Sequence, residues 1–205
     1  MKYNFKNKTY ELNDVNIYAI EHGEGPLIIM VHGWPESWYS WRHQIKPIAE
    51  LGYKVIAIDV RGYGNSSKPL EVEKYDMLSL IGDIINIIDK ENVGQSILIG
   101  HDWGAPICWN TAALYPEKIK AVIGLSVPHS RRGKISNIEL WRQLYKDKFF
   151  YQLYFQEEGI AENTPIVFVT GNLESCKDSD PGLANVSFIE KPWKVRELIQ
   201  EVLSK

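Results

Sequence analysis

An aspartate stands at the centre of GHDWG, residues 100–104, where the chain leaves an apolar stretch of strand character, Ser96 to Ile99. A G-x-Nuc-x-G arrangement suits a sharp strand-to-helix turn, because small residues two positions before and after the central one let the strained backbone form. Gly100 and Gly104 hold those two positions and Asp102 the centre. A serine there would carry acyl transfer, whereas a carboxylate attacks an electrophilic sp3 carbon and leaves an alkyl ester on the protein. The electrophile this selects is an epoxide or an alkyl halide.

HGWPESWYSWR, residues 32–42, directly follows the apolar run Leu27 to Val31. Its backbone N–H at Trp34, with that of Trp103 just after the aspartate, is expected to converge on a developing oxyanion, and one such donor is typically worth about 3 kcal/mol of barrier. His101 is assigned a structural role, because neighbours across a sharp turn point in different directions. Trp38 and Trp41 fall on a predicted helix, and Trp103 is expected at a mostly apolar pocket. DVRGYGNSS, residues 59–67, is glycine-rich but lacks the Walker spacing, and no G-x-G-x-x-G opens a helix, which speaks against nucleotide binding.

These residues need a scaffold, and the periodicity supplies one. Residues 8–21 alternate as two short strands around Asn13-Asp14, and Leu27 to Val31 reads as a buried strand. Helical spacing runs from Ser37 to Leu51, interrupted by Pro47 and ended by Gly52. Strand Lys54 to Asp59 follows, then a helix capped by Asp76 and reaching Asn92, with Ile81, Ile84, Ile85 and Ile88 on one face. Strand Gln95 to Ile99, helix Ala105 to Tyr115 and strand Ile119 to Leu125 complete the alternation. Such alternation predicts an α/β fold with a doubly wound, mostly parallel sheet, whose ligands bind beyond the carboxyl ends of the strands. After Val127 come a basic loop, Arg131 to Lys134, and an aromatic helical stretch, Leu140 to Phe155, read as a lid insertion over 130–163. Strands at Pro165 to Thr170 and Val186 to Ile189 and a helix from Pro192 to Leu203 end the pattern, all within one domain of 205 residues.

A formal charge of −3, with both signs interspersed, provides no basic face for nucleic acid and no polybasic segment for a membrane surface. A small uncharged partner fits better. The two cysteines, Cys108 and Cys176, lie in unlike contexts, so no disulfide framework is expected and the compartment reads as reducing. The amino-terminal residues lack a signal-peptide core and the longest apolar run is too short for a bilayer, so a cytoplasmic protein is expected. No metal and no cofactor is called for.

HGWPESWYSWR, DVRGYGNSSKP at 59–69, GHDWGAPI at 100–107 and YQLYFQEEG at 151–159 together resemble an epoxide hydrolase of the α/β-hydrolase superfamily. The similarity covers residues 10–160 and resumes more faintly at TPIVFVTG, 164–171, and EKPWKV, 190–195. It implies that Asp102 is the nucleophile, that Trp34 and Trp103 donate to the oxyanion, and that Tyr151 is the lid tyrosine bonding the epoxide oxygen. It also implies a substrate site formed by His32, Gly33, Pro35, Trp38 and Gln152. For Tyr151 there is a physical reason too, since a phenol with a pKa near 10 donates to an alkoxide without ionising at pH 7.

Two parts of the family pattern are missing from these residues. The family's general base is a histidine after the last strand, yet the five histidines here are His22, His32, His43, His101 and His129, and the segment before EKPWKV reads ANVSFI. His129, in SVPHS, is the candidate substitute with reach, although polar loop anchoring is the role expected of it, and Glu174, ahead of Asp178 and Asp180, has the best spacing for the partner acid. The lid is also short, because GIAE at 159–162 runs almost directly into TPIVFV. The resemblance therefore implies an enzyme taking a small apolar epoxide and water. Left open beside it are a single-turnover or binding-only relic, a haloalkane dehalogenase, and self-association through exposed sheet surface.

Overall fold

In a six-stranded sheet the strand order is β1-β2-β4-β3-β5-β6, built from β1 (Lys6–Glu11), β2 (Asn16–His22), β3 (Leu27–Val31), β4 (Lys54–Ile58), β5 (Ser96–His101) and β6 (Ile119–Leu125). The computed structural model describes residues 4–129 and 135–146, positions 148, 153 and 156, and strands at 166–170 and 186–190. The chain divides into two compact units, residues 1–129 and 130–205, close to Val127, where the alternation of the sequence gives way to the basic loop. In the first unit β1–β2 and β2–β4 pair antiparallel, whereas β3–β4, β3–β5 and β5–β6 pair parallel, as the alternation of strands and helices predicts.

The central strand β3 is buried at all five residues, as expected of a parallel strand covered on both faces. Three helices provide the cover. Helix α1 (Arg42–Glu50) shares one cluster with Ile20, Ile28, Met30, Val55 and Ala57, through Ile45 and the adjoining Trp41. Helices α2 (Met77–Lys90) and α3 (Gly104–Leu114) pack with Ile17, Leu27, Ile29, Ile56 and Ile58 in the other. Alternate residues of each strand thus feed alternate cores, which is the period-two pattern of the sequence made physical. In α2 the side chains Ile81, Ile84, Ile87 and Ile88 are at most 1% exposed, each burial stabilising by roughly 1.5–3 kcal/mol. The Asp76 carboxylate caps that helix by accepting the Ser79 N–H at 2.6 Å. Pro47 does not interrupt α1, which runs through it. It lies on the exposed face of the helix, away from the core.

At the amino-terminal end of β4 a charge cluster ties β1, β2 and β4 to the end of α2. The Glu91 carboxylate, 4% exposed, accepts from Lys8 and Lys54 at 2.5 Å each and from the Tyr10 hydroxyl at 2.6 Å. Glu21, 11% exposed, accepts from Lys8 at 2.9 Å, Lys6 at 3.1 Å and Lys54 at 3.2 Å. Burial alone would raise the Glu21 pKa, but these three ammonium groups hold it at about 2.

In the second unit α4 (Asn137–Tyr145) is capped by Ser136 Oγ, which accepts the Glu139 N–H at 3.1 Å. It starts three residues before the predicted Leu140 and ends where Lys146 turns left-handed, φ 45°. Most of the predicted stretch beyond, and the helix from Pro192, lie outside the described residues. Strands β7 (Ile166–Thr170) and β8 (Val186–Glu190) pair parallel in the register Ile166↔Val186. No helix among the described residues is long and apolar enough to cross a membrane.

A glutamate whose folded pKa is depressed stabilises above its unfolded value and loses that contribution as pH falls through the folded value. Glu21→Gln should therefore lower the urea-unfolding free energy at pH 7 by about 2 kcal/mol. The gap to the parent should close between the ordinary value of 4.5 and about 2, followed by urea denaturation across that range.

Candidate active site

Register decides which loops meet. Val31, the last residue of β3, pairs with Ile58 of β4 on one side and Gly100 of β5 on the other, and Gly100 pairs with Gly124 of β6. The loops beginning at His32, Asp59 and Asp102 therefore leave the same edge of the sheet. β3 lies between strands reached in opposite directions, so this edge is the topological switch point of the fold.

Asp102 turns the chain from β5 into α3 in the left-handed region, φ 50°. That conformation costs a non-glycine residue roughly 1–2 kcal/mol, and aspartate is among the residues that tolerate it best. The turn is held by Asp102 N–H to the Leu125 carbonyl at 3.2 Å and Ala105 N–H to the Asp102 carbonyl at 3.0 Å. Close packing of the main chain surrounds it. A Cβ on Gly104 would run into the Val31 and His32 carbonyls, and one on Gly100 into the backbone of Gly104 and Ala105. The glycines of the motif thus serve backbone-to-backbone contact as well as the turn.

The Trp34 N–H donates to Asp102 Oδ1 at 3.0 Å. This leaves Oδ2 without that donor, so the two carboxylate oxygens are chemically distinguished. Gly33 passes so close that a Cβ there would lie 2.6 Å from Oδ1. Trp103 follows as the residue capping α3, and Trp34 and Trp103 are 43% and 48% exposed.

His32 is buried, and both ring nitrogens bond the backbone. Nδ1 lies 2.8 Å from the Gly33 carbonyl, which only accepts, while Nε2 accepts the Val60 N–H at 2.9 Å. These partners select the neutral ring with its hydrogen on Nδ1. Burial, opposed by the Gly33 carbonyl and the Glu36 charge, brings its pKa down to about 4. His101 meets Glu36, whose Oε2 lies 3.1 Å from Nδ1 and also accepts the Gly33 N–H at 3.0 Å. The structural role expected of His101 thus has a partner. The sequence reading missed Glu36, although its place three residues after Gly33, closing a turn by donating its N–H to the Gly33 carbonyl at 3.0 Å, was a signal for it.

A largely apolar cavity of about 370 Å³ opens beside Trp34 and Trp103 and is lined further by Tyr63, Tyr75, Met77 and Leu80. Tyr63, also overlooked in the glycine-rich run, has its phenol pushed up to about 12, chiefly by burial and then by the charge of Asp102. His32 and Gly33 reach this cavity. Trp38 packs instead with the α1 core against Phe5 and Tyr39, and Pro35, joined to Trp34 by a cis bond, is exposed. His129 sits edge-on to Trp109 of α3, ring centres 5.7 Å apart. Tyr151, Gln152 and Glu174 lie outside the described residues. Among the described residues no group of three or more His, Cys, Asp or Glu is arranged to hold a metal.

A family model described as the alpha/beta hydrolase fold matches residues 26–196. The chain belongs to that family. Within it, the chain is 42% identical over 154 residues to epoxide hydrolase A of Mycobacterium tuberculosis, covering 74% of this chain and 48% of that one. It is 42% identical over 149 residues to bifunctional epoxide hydrolase 2 of Sus scrofa, covering 72% and 26%. Among solved structures it superposes on an epoxide hydrolase from Vigna radiata with a TM-score of 0.73 at 43% identity, covering 77% and 49%. Epoxide hydrolase A from Mycobacterium thermoresistibile gives 0.74 at 44%, covering 78% and 51%. The chain thus spans about half the length of these relatives, and less of the bifunctional one.

Backbone contact at the elbow carries a stability prediction. Gly104→Ala should cost about 3 kcal/mol, the upper range for overpacking, because the atoms it meets are main chain rather than flexible side chain. Asp102→Asn, which tolerates the left-handed backbone equally, should change the thermal midpoint little.

Proposed function

We propose that this chain opens a small apolar epoxide by attack of Asp102 Oδ2 on a ring carbon. The observation that carries this is the Trp34 N–H on Asp102 Oδ1 at 3.0 Å, beside an apolar cavity of about 370 Å³. The similarity to epoxide hydrolases supports the same reading. In the first step a bond forms from Oδ2 to carbon and the ring C–O bond breaks, leaving an alkoxide that takes a proton from the Tyr151 phenol. The product is an alkyl ester of Asp102. In the second, water adds to the ester carbonyl carbon and gives one proton to a base, for which His129 is the candidate, while charge collects on Oδ1 under the Trp34 and Trp103 N–H groups. The bond from that carbon to Oδ2 then breaks, the base returns its proton to Oδ2, the diol departs, and the proton left on the Asp102 carboxyl restores the Tyr151 phenol. Glu174 is assigned to the acid that orients the base for that water.

One sequence observation favours a second reading, in which the ester forms once and persists. The segment 184–189, where the family carries its base, is Ala-Asn-Val-Ser-Phe-Ile and holds no group that accepts a proton near neutral pH.

Incubation with styrene oxide, followed by intact-mass spectrometry and a diol assay, tests both. Diol beyond one equivalent per chain supports hydrolysis, and a stable adduct of one equivalent supports the single-turnover reading. Asp102→Asn should abolish both products. Turnover surviving in that variant, or neither product in the parent, sinks the assignment of the nucleophile.

A further inference from the structure

Resting on the reading of Asp102 as nucleophile, we propose that Asp59 is a positioning residue, its buried carboxylate fixing the loop that holds the Trp34 N–H on the attacking group. The loop 32–38 is pinned at both ends to successive residues beyond β4. At its start His32 Nε2 accepts the Val60 N–H at 2.9 Å, and at its end the Trp38 N–H donates to Asp59 Oδ1 at 2.8 Å. Trp34 lies between the pins. The second oxygen, Asp59 Oδ2, accepts the Asn65 N–H at 2.9 Å, so one carboxylate joins the loop after β3 to the loop after β4. Asp59 is 1% exposed, and its own main chain is held by Asp59 N–H to the Tyr18 carbonyl at 2.8 Å and by Ser66 Oγ to the Asp59 carbonyl at 2.6 Å.

The glycine-rich run 62–67 finds its reason here. Gly64, at φ 50°, lies against the carboxylate, and a Cβ at that position would collide with both Asp59 oxygens. The run is a saddle over Asp59. Its bond to Asn65 requires that close approach.

Both N–H groups bond most strongly to an ionised carboxylate, because protonation turns one oxygen into a donor and weakens it as an acceptor. Burial raises the Asp59 pKa to about 6, opposed by the Trp38 and Asn65 N–H groups and the Lys68 charge. The groups facing it are the Tyr18 phenol from β2, which stays protonated, and Lys68 from the loop. His32, next to it on Val60, is neutral above about 4. The Glu36–His101 pair contacts the same loop from the elbow side, so a variant that leaves that pair intact is needed.

Amide NMR of the 15N-labelled full chain between pH 5 and 8 is the test. The Trp38 and Asn65 amides should shift with one midpoint near 6, and the Trp34 amide should follow them. In Asp59→Asn the step should vanish, and styrene oxide adduct formation at pH 7.5 should slow about tenfold or more, as expected for one lost charge-assisted bond behind the donor. Invariant Trp34 and Trp38 amides in the parent, or an unchanged step in Asp59→Asn, overturn the proposal whatever the adduct does. An intact amide step with no adduct in the parent supports the anchor and counts only against the reaction assigned to Asp102. Should Asp59→Asn fail to fold, the titration is repeated in His101→Gln, where a step near 6 that persists supports Asp59 and one that vanishes overturns the proposal.

Discussion

Main-chain contact among β3, β5 and the start of α3 is the constraint on which the rest of the structure depends. At Gly104 the helix lies directly on the carbonyls that end β3, and at Gly100 the strand lies directly on the helix. With no side chain between them, the elbow and the loop after β3 come close enough for Gly33 to pass over the Asp102 carboxylate and for the Trp34 N–H to reach it. A methyl group at any of these contacts would separate the acceptor from its donor. The left-handed backbone at Asp102 is held by this surround, since isolated it would relax.

The electrostatics divide between the two ends of the sheet. At the amino-terminal end of β4, Glu21 and Glu91 are neutralised by Lys6, Lys8 and Lys54, a cluster that joins strands and helix. At the carboxyl-terminal end buried His32 and Asp59 bond to main chain, whereas Arg61 is ion-paired with Asp83 and Asp14. His32 serves the Gly33 carbonyl and the Val60 N–H, Asp59 serves Trp38 and Asn65, and Arg61 is pinned by Asp83 at 2.8 Å and by the Lys74 carbonyl at 2.9 Å. These bonds fix the shape of the loops, and through them the place of the Trp34 N–H on Asp102 Oδ1.

Much of this was legible beforehand because it depends on local pattern. The five buried residues of β3, the isoleucine face of α2 and the Asp76 cap follow from periodicity and capping, which operate within a dozen residues. Asp102 was legible through its flanking glycines. Pro47 misled, because its effect depends on which face of the helix it occupies, and that is a matter of packing. Tyr63 and Asp59 were not legible as parts of the site, because the groups they act on lie in other loops.

By itself the sequence determined the order of strands and helices and the aspartate in the elbow, since these rest on residue type and short spacing. Only the tertiary structure decided that Asp102 Oδ1 is held by Trp34, that His32 spends both ring nitrogens on backbone, that Trp38 turns into the α1 core and that Asp59 ties two loops together. The physical reason is that a hydrogen bond is a matter of ångströms between groups dozens of residues apart. That distance is set by sheet register and backbone contact, which no local pattern encodes.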